Sequence, residues 1–194
     1  AGLAALARLK QLHPADKIIL LEASRIADGP AGRNSGFMID LPHELAADGY
    51  AGSAETDRKQ ITLNRHALAF AQAAAAEYDM PAEAVAAIGR VNGAVNARGA
   101  AHNDDYAAKL DHLGERYERL DTEAMAQMTG THFYRSGLFL PGAVMLQPAL
   151  YIRALAAGLA DHGTRPVQIV ENSPAISFTP RTGGWEVRTP QAVI

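Results

Sequence analysis

The sequence predicts an α/β fold: a parallel sheet with helices, interrupted by a longer mixed α+β stretch. Three observations predict it. A helix-forming opening runs into a short apolar run at residues 17–23. Amphipathic helices and short strands alternate between about residues 42 and 145. A further helix at 147–162 leads into a second short apolar run at 167–171 and then a hairpin pattern.

Residues 1–10 are strong helix formers with apolar positions at helical spacing, and His13-Pro14 ends them. Lys17-Ile18-Ile19-Leu20-Leu21-Glu22-Ala23 reads as a buried parallel strand, a continuous apolar run with an acidic residue at its end. Residues 28–36, rich in Gly, Pro, Asn and Ser, read as a loop. A long helix is expected over 55–78, with apolar Ile61, Leu68 and Phe70 and a run of four alanines, stopped by Asp79-Met80-Pro81. Next come a strand near 87–97, helices over 100–117 and 122–128, and a strand over 137–145 that turns at Pro141-Gly142. The helix at 147–162 is closed by Gly163. A hairpin of 174–180 and 185–189 turns at Thr182-Gly183-Gly184. Ala192-Val193-Ile194 reads as the start of another strand, and an unpaired apolar strand is a poor natural end. With no initiator Met either, the sequence is expected to be the N-terminal part of a longer protein, incomplete at both ends.

Composition excludes several classes of function. A net charge of −3 gives no electrostatic footprint for nucleic acid. No apolar run reaches the length of a membrane span, so membrane association is not expected. The absence of cysteine removes thiol nucleophiles, disulfides and thiolate metal sites, and agrees with a cytoplasmic location. The seven histidines are scattered singly, without the paired spacing and third ligand of a helical zinc site, so no metal is expected. Asp104-Asp105 and Asp121 with Glu123 are read as helix-terminal capping or solvated groups. Lys109, Asp111, Glu115, Arg116 and Arg119 are read as one exposed helix face. Phe37 and Met145 fit an apolar core or the neighbourhood of a cofactor equally well.

Glu22 carries the first chemical signal. In a dinucleotide-binding βαβ unit, an acidic residue at the end of the second strand hydrogen-bonds the ribose, about 20 residues beyond the glycine fingerprint. Gly2 stands at that distance, opening a helix whose N-terminus would face a pyrophosphate. It fits the last glycine of G-x-G-x-x-G, with the first strand and the first two glycines not in this sequence. A surface carboxylate that merely ends a strand is the competing reading. Gly29-Pro30-Ala31-Gly32-Arg33-Asn34-Ser35-Gly36-Phe37 follows closely. Its glycines allow close backbone approach to a ligand, Arg33 can neutralise phosphate and Ser35 can donate a hydrogen bond. A solvated turn with an incidental arginine fits the same residues.

Three stretches together resemble the D-amino-acid oxidase-like family of FAD-dependent oxidoreductases, which includes glycine oxidase, sarcosine oxidase and γ-glutamylputrescine oxidase. They are Leu20–Ala23 with Gly29–Phe37; Gly137–Gly142 with Leu146–Tyr151; and Glu171–Ile176 with Gly184–Thr189. The resemblance implies a dinucleotide-binding parallel sheet with helices, plus part of a mixed α+β substrate domain. FAD-binding segments would cover 1–41 and 146–194, and substrate-domain residues 42–145. It implies that Glu22 holds the ribose, that Gly2 belongs to the pyrophosphate turn, and that Arg33, Asn34, Ser35 and Gly36 line the flavin and its phosphate side. Ala175 takes a position, usually valine, whose backbone contacts adenine. The implied reaction passes hydride from the α C–H of a small amine or amino acid to flavin N5, giving an imine. No catalytic residue is implied, and the implied partners are that substrate and the remainder of the same polypeptide. A nicotinamide-dependent dehydrogenase and a non-catalytic degenerate relative are the alternatives.

Overall fold

The computed structural model describes residues 2–42, 54–161 and 167–194. In chain order the elements are α1 (Gly2–Leu12), β1 (Ile19–Leu21), β2 (Phe37–Met38), α2 (Ala54–Glu77), β3 (Val85–Ala87), β4 (Arg90–Ala94), α3 (Ala97–Leu113) and β5 (Glu118–Leu120). They continue with α4 (Thr122–Thr129), β6 (Ser136–Leu140), β7 (Val144–Leu146), α5 (Pro148–Asp161), β8 (Gln168–Val170), β9 (Ser177–Arg181) and β10 (Gly184–Arg188). Single 3-10 turns occupy Pro30–Gly32 and Ala82–Ala84. The chain divides into two units, one of Ala1–Gly36, Ala74–Ala84 and Gln147–Ile194, the other of Phe37–Ala73 and Val85–Leu146. No helix among the described residues is long and apolar enough to cross a membrane.

The first unit is α/β. β1 pairs in parallel with β8, Ile19 opposite Gln168 and Leu21 opposite Val170. Each strand is shorter than the apolar run that announced it, but the pairing continues beyond them. Gln168 N donates to Ile18 O at 3.0 Å, and Glu22 N to Val170 O at 2.9 Å. α5 supplies much of the core through Tyr151, Leu155, Ala156 and Leu159, and α1 adds Leu6 and Ala7. The Gln147 side chain starts α5 by accepting from Leu150 N at 2.9 Å. Lys10 Nζ reaches Leu159 O at 2.8 Å, a cation at the negative end of that helix. The expected cap at Gly163 lies outside the described residues. Gly158 lets Tyr78 pack on α5, since a Cβ there would lie 2.4 Å from the ring. β9 and β10 form the expected hairpin, turning at Thr182-Gly183 with Gly183 at φ +86°, where glycine is favoured. Residues 192–194 add a third line of pairing through Arg188 and Val193.

The second unit holds two antiparallel three-stranded sheets, in orders β4-β6-β5 and β2-β7-β3. Its core gathers Leu41, Ile61, Tyr106, Ala107, Leu110, Leu138 and Leu140. Three sequence expectations change here. The strand expected at 87–97 is divided: β3 ends, the chain turns at Gly89 (φ +70°), β4 follows, and α3 has begun by Ala97. Asn96 starts that helix early by accepting from Gly99 N at 2.9 Å. α3 ends at Leu113 because Gly114 takes the left-handed conformation (φ 74°), and this frees Glu118–Leu120 to become β5. The supposed helix face is therefore three elements. Lys109 and Asp111 lie on α3, Glu115 and Arg116 follow its cap, and Arg119 lies on β5, paired with Asp104. Asp104 and Asp105 lie within α3 rather than at its end, whereas Asp121 does cap α4, accepting from Ala124 N at 2.8 Å.

Side chains from three elements clamp the segment after β2. Asn64 of α2 donates to Asp40 O at 3.0 Å, Arg90 of β4 to Leu41 O at 3.1 Å, and Tyr106 of α3 to Pro42 O at 2.5 Å. Arg90, itself buried, also donates to the Tyr106 hydroxyl at 3.1 Å. The buried Asp40 carboxylate meets Arg65 at 3.2 Å, and Arg65 Nη1 also donates to Glu115 at 3.1 Å. Glu115 first, then Asp40, raises the Arg65 pKa against the lowering effect of burial.

Two measurements check this packing. Arg90→Ala leaves buried carbonyl and hydroxyl groups without their donor and is expected to cost about 3 kcal/mol in denaturant unfolding. Burial, assisted by Glu77, pushes the Tyr78 hydroxyl from 10.0 up to about 12. A raised folded pKa gives stability that is complete below 10.0 and lost as pH climbs through about 12. Wild type should therefore lose stability relative to Tyr78→Phe across that window, and parallel pH curves would contradict the burial.

Candidate functional site

Gly2, Glu22, Arg33, Asn34, Ser35, Gly36 and Ala175 lie in the first unit, whereas Phe37 and Met145 lie in the second, opposite each other on β2 and β7. Gly2 opens α1, and a Cβ on it would lie 3.7 Å from Leu20 Cδ1, so the helix N-terminus packs on β1 two residues before Glu22. That places unpaired helix-end N–H groups and a carboxylate on neighbouring stretches of backbone. Glu22 is half-buried and held on both sides of its backbone. Its N–H donates to Val170 O, and its carbonyl accepts from Ser173 N, both at 2.9 Å. Its Oε1 accepts from Ser24 N at 2.9 Å, and Oε2 has no hydrogen-bond partner among the described residues.

The loop after Glu22 is built rather than merely solvated. Asn172 N donates to Ser24 O at 2.7 Å, and Ile26 N to the Glu171 carboxylate at 2.6 Å. Ala27 then adopts φ +70°, unusual for a residue with a side chain. Gly32 returns against it so closely that a Cβ would lie 2.1 Å from Ala27 O. Asn34 knits the far end: its Nδ2 donates to Ala31 O at 2.8 Å, and its Oδ1 accepts from Gly36 N at 2.8 Å. Gly36 is buried at φ +77°, while Arg33 and Ser35 are exposed. The Arg33 guanidinium has no ion-pair or hydrogen-bond partner among the described residues. α5 packs on the Pro30–Gly32 turn.

The structure thus brings Gly2, Glu22 and the 171–173 segment together, and gives Arg33, Asn34, Ser35 and Gly36 one compact turn. Ala175 is exposed and shares no hydrogen bond with Glu22. Sequence reasoning missed Glu171, whose carboxylate fixes the Ile26 amide, and Asn172, which reverses the chain at φ +52°. The available signals were the turn-like composition Glu-Asn-Ser-Pro and the place of Glu171–Ile176 in the resemblance. Arg25, Ile26, Asp28, Arg153 and Glu171 also line a polar cleft of about 360 Å³ beside the loop.

Residues 1–194 match the family described as FAD dependent oxidoreductase (DAO). The chain belongs to that family. FAD is the family's cofactor, and the nicotinamide alternative falls with that assignment. The chain is similar to "Probable oxidoreductase OrdL" of Haemophilus influenzae, at 26% identity over 97% of this chain and 43% of that protein. It shares its fold with glycine oxidase from Geobacillus kaustophilus, at TM-score 0.74 and 14% identity over 98% of this chain and 50% of the other. L-amino acid deaminase from Proteus myxofaciens, solved with anthranilate, gives TM-score 0.72 and 12% identity over 98% and 40%. This FAD-family chain spans half or less of the length of these relatives.

The loop makes a paired prediction. Gly32→Ala is expected to lower the unfolding midpoint, since its methyl group must displace a backbone carbonyl 2.1 Å away. Ala27→Gly is expected to raise stability by about 0.5–1 kcal/mol, by relieving a left-handed residue. Equal midpoints for the two variants would mean that the close approach of Ala27 and Gly32 is wrong.

Proposed function

We propose that the whole protein oxidises a small amine or amino acid, and that this chain contributes the first parts of its FAD-binding and substrate-binding machinery. The observation that carries the proposal is Glu22. It projects from the end of β1, next to the N-terminus of α1, with one carboxylate oxygen committed to Ser24 and the other uncommitted.

The residues fit the cofactor's chemistry. Ribose hydroxyls are donors, and Glu22 Oε2 is an acceptor waiting for one. A pyrophosphate is anionic, and the α1 N-terminus at Gly2 together with the exposed Arg33 supplies positive potential and N–H donors. Ser35 offers a hydroxyl and Gly36 a backbone free of side-chain bulk. Asn34 spends its amide on the loop itself, so its part is to hold Arg33 and Ser35 in position. Ala175 would meet adenine through its backbone, which its exposure permits. On this reading residues 1–41 and 146–194 belong to the FAD-binding domain and 42–145 to the substrate domain. The absence of cysteine supports a cytoplasmic setting.

Bound FAD supplies the acceptor for the substrate's α hydrogen, leaving an imine that water hydrolyses. This chain's residues bind and orient that group, and none of them is assigned as an acid or base. The names glycine oxidase and L-amino acid deaminase favour an amine-bearing substrate, although a fold likeness alone selects none.

In the polypeptide at the full length of its relatives, Glu22→Ala is expected to weaken FAD binding by about tenfold or more, the loss of charge-assisted hydrogen bonds. Unchanged flavin affinity would remove Glu22 from the site. Anaerobic addition of amino acids to the FAD-loaded protein should bleach the oxidised flavin spectrum. A protein that holds FAD yet is bleached by no amine or amino acid would instead be a silent relative.

A further inference from the structure

The β9–β10 hairpin is polar on one face and apolar on the other. Its register sets Ser177 opposite Arg188, and Thr179 opposite Glu186. On that face Glu186 accepts from Arg181 Nη2 at 2.9 Å and from Arg188 Nε at 2.8 Å. Side chains alternate across a strand, so Phe178 with Val187, and Pro180 with Trp185, share the other face. Val187 and Ile194 exchange backbone hydrogen bonds at 2.7 and 2.8 Å, which sets Ile194 beside Val187 on the apolar face. Phe178 is 65% exposed, Trp185 66% and Ile194 47%. Single exposed apolar side chains are ordinary, but an adjoining set with two aromatics and no charge marks an interaction surface.

We infer that this face is an internal docking surface, covered in the whole protein by an apolar segment of the polypeptide that the relatives possess and this chain does not span. Two arguments select that occupant. The chain covers 43% of the Haemophilus relative and 50% of the Geobacillus glycine oxidase, so relatives carry at least as much polypeptide again. A cover tethered on the same chain acts at an effective concentration on the order of millimolar, ahead of a second copy or a separate partner. The segregation of charge agrees: Arg181, Glu186 and Arg188 satisfy one another on the solvent side and leave the other side with nothing to offer water. The inference rests on the register and on the length of the relatives, not on how FAD is held.

Hydroxyl-radical footprinting of the full-length protein, read by mass spectrometry on the peptides containing Phe178 and Trp185, tests it. Trp185 is the only tryptophan in this chain and a sensitive reporter of exposure. Its oxidation is expected to be about tenfold slower in the native protein than in denaturant, unchanged by dilution. Oxidation at the denatured rate would overturn the proposal, because the face would then be open to solvent. Protection that fades on dilution would also overturn it, since the cover would then be a second copy. Running the footprint with and without FAD separates this result from the flavin reading: loss of flavin binding with Trp185 still protected leaves the docking surface standing.

Discussion

The parallel pairing of β1 with β8 is the constraint on which the first unit depends. Two strands of three residues cannot hold together alone. They persist because α1 and α5 bury their apolar faces in the same unit and because hydrogen bonding continues past both strand ends. That continuation is where chemistry becomes possible. The backbone of Glu22 is caught between Val170 and Ser173, so its carboxylate projects from a fixed frame. Glu171 and Asn172, just beyond β8, take hold of Ile26 and Ser24 and begin the shape of the loop that carries Arg33.

The second unit solves a different problem. Among the described residues the segment 40–42 has no strand partner for its carbonyls, and Asn64, Arg90 and Tyr106 each satisfy one of them. Burying an arginine is costly unless its donors are used, and Arg90 donates both to the Leu41 carbonyl and to the Tyr106 hydroxyl that itself donates to Pro42 O. Asp40 is held in place too tightly for any side chain at position 142, where a Cβ would fall 2.1 Å from its carboxylate.

Some of this was legible in the sequence for clear reasons. Apolar runs at β1 and β8, the helical spacing of α2 and the Thr-Gly-Gly turn are local signals, and local signals predicted those elements. The three residue groups that suggested FAD also lie close in sequence to the elements that position them. What was not legible was set by single capping residues or by distant partners. Asn96 and Gly114 moved α3 by three or four residues and released β5, which needs β6 to exist at all. Asn34 was expected to line the cofactor, and its role as a tie of its own loop, donating to Pro30 and Ala31, was not legible from the sequence. Glu171 looked like the end of a strand, and only the fold shows it serving Ile26.

The interleaving of the two units bears on how such a chain is made. β1 is made before the second unit, and its partner β8 only after the second unit's residues. At roughly 5–20 residues per second, an apolar strand therefore waits on the order of ten seconds for this partner. Through that interval Ile19, Leu20 and Leu21 lack their β8 partners, while the described strands of the second unit, nearly continuous in sequence, have all been made. The order of assembly is thus written into the connectivity: the strands of the second unit can pair before β8 is made, and the backbone ties of Glu22 to Val170 and Ser173 form only afterwards.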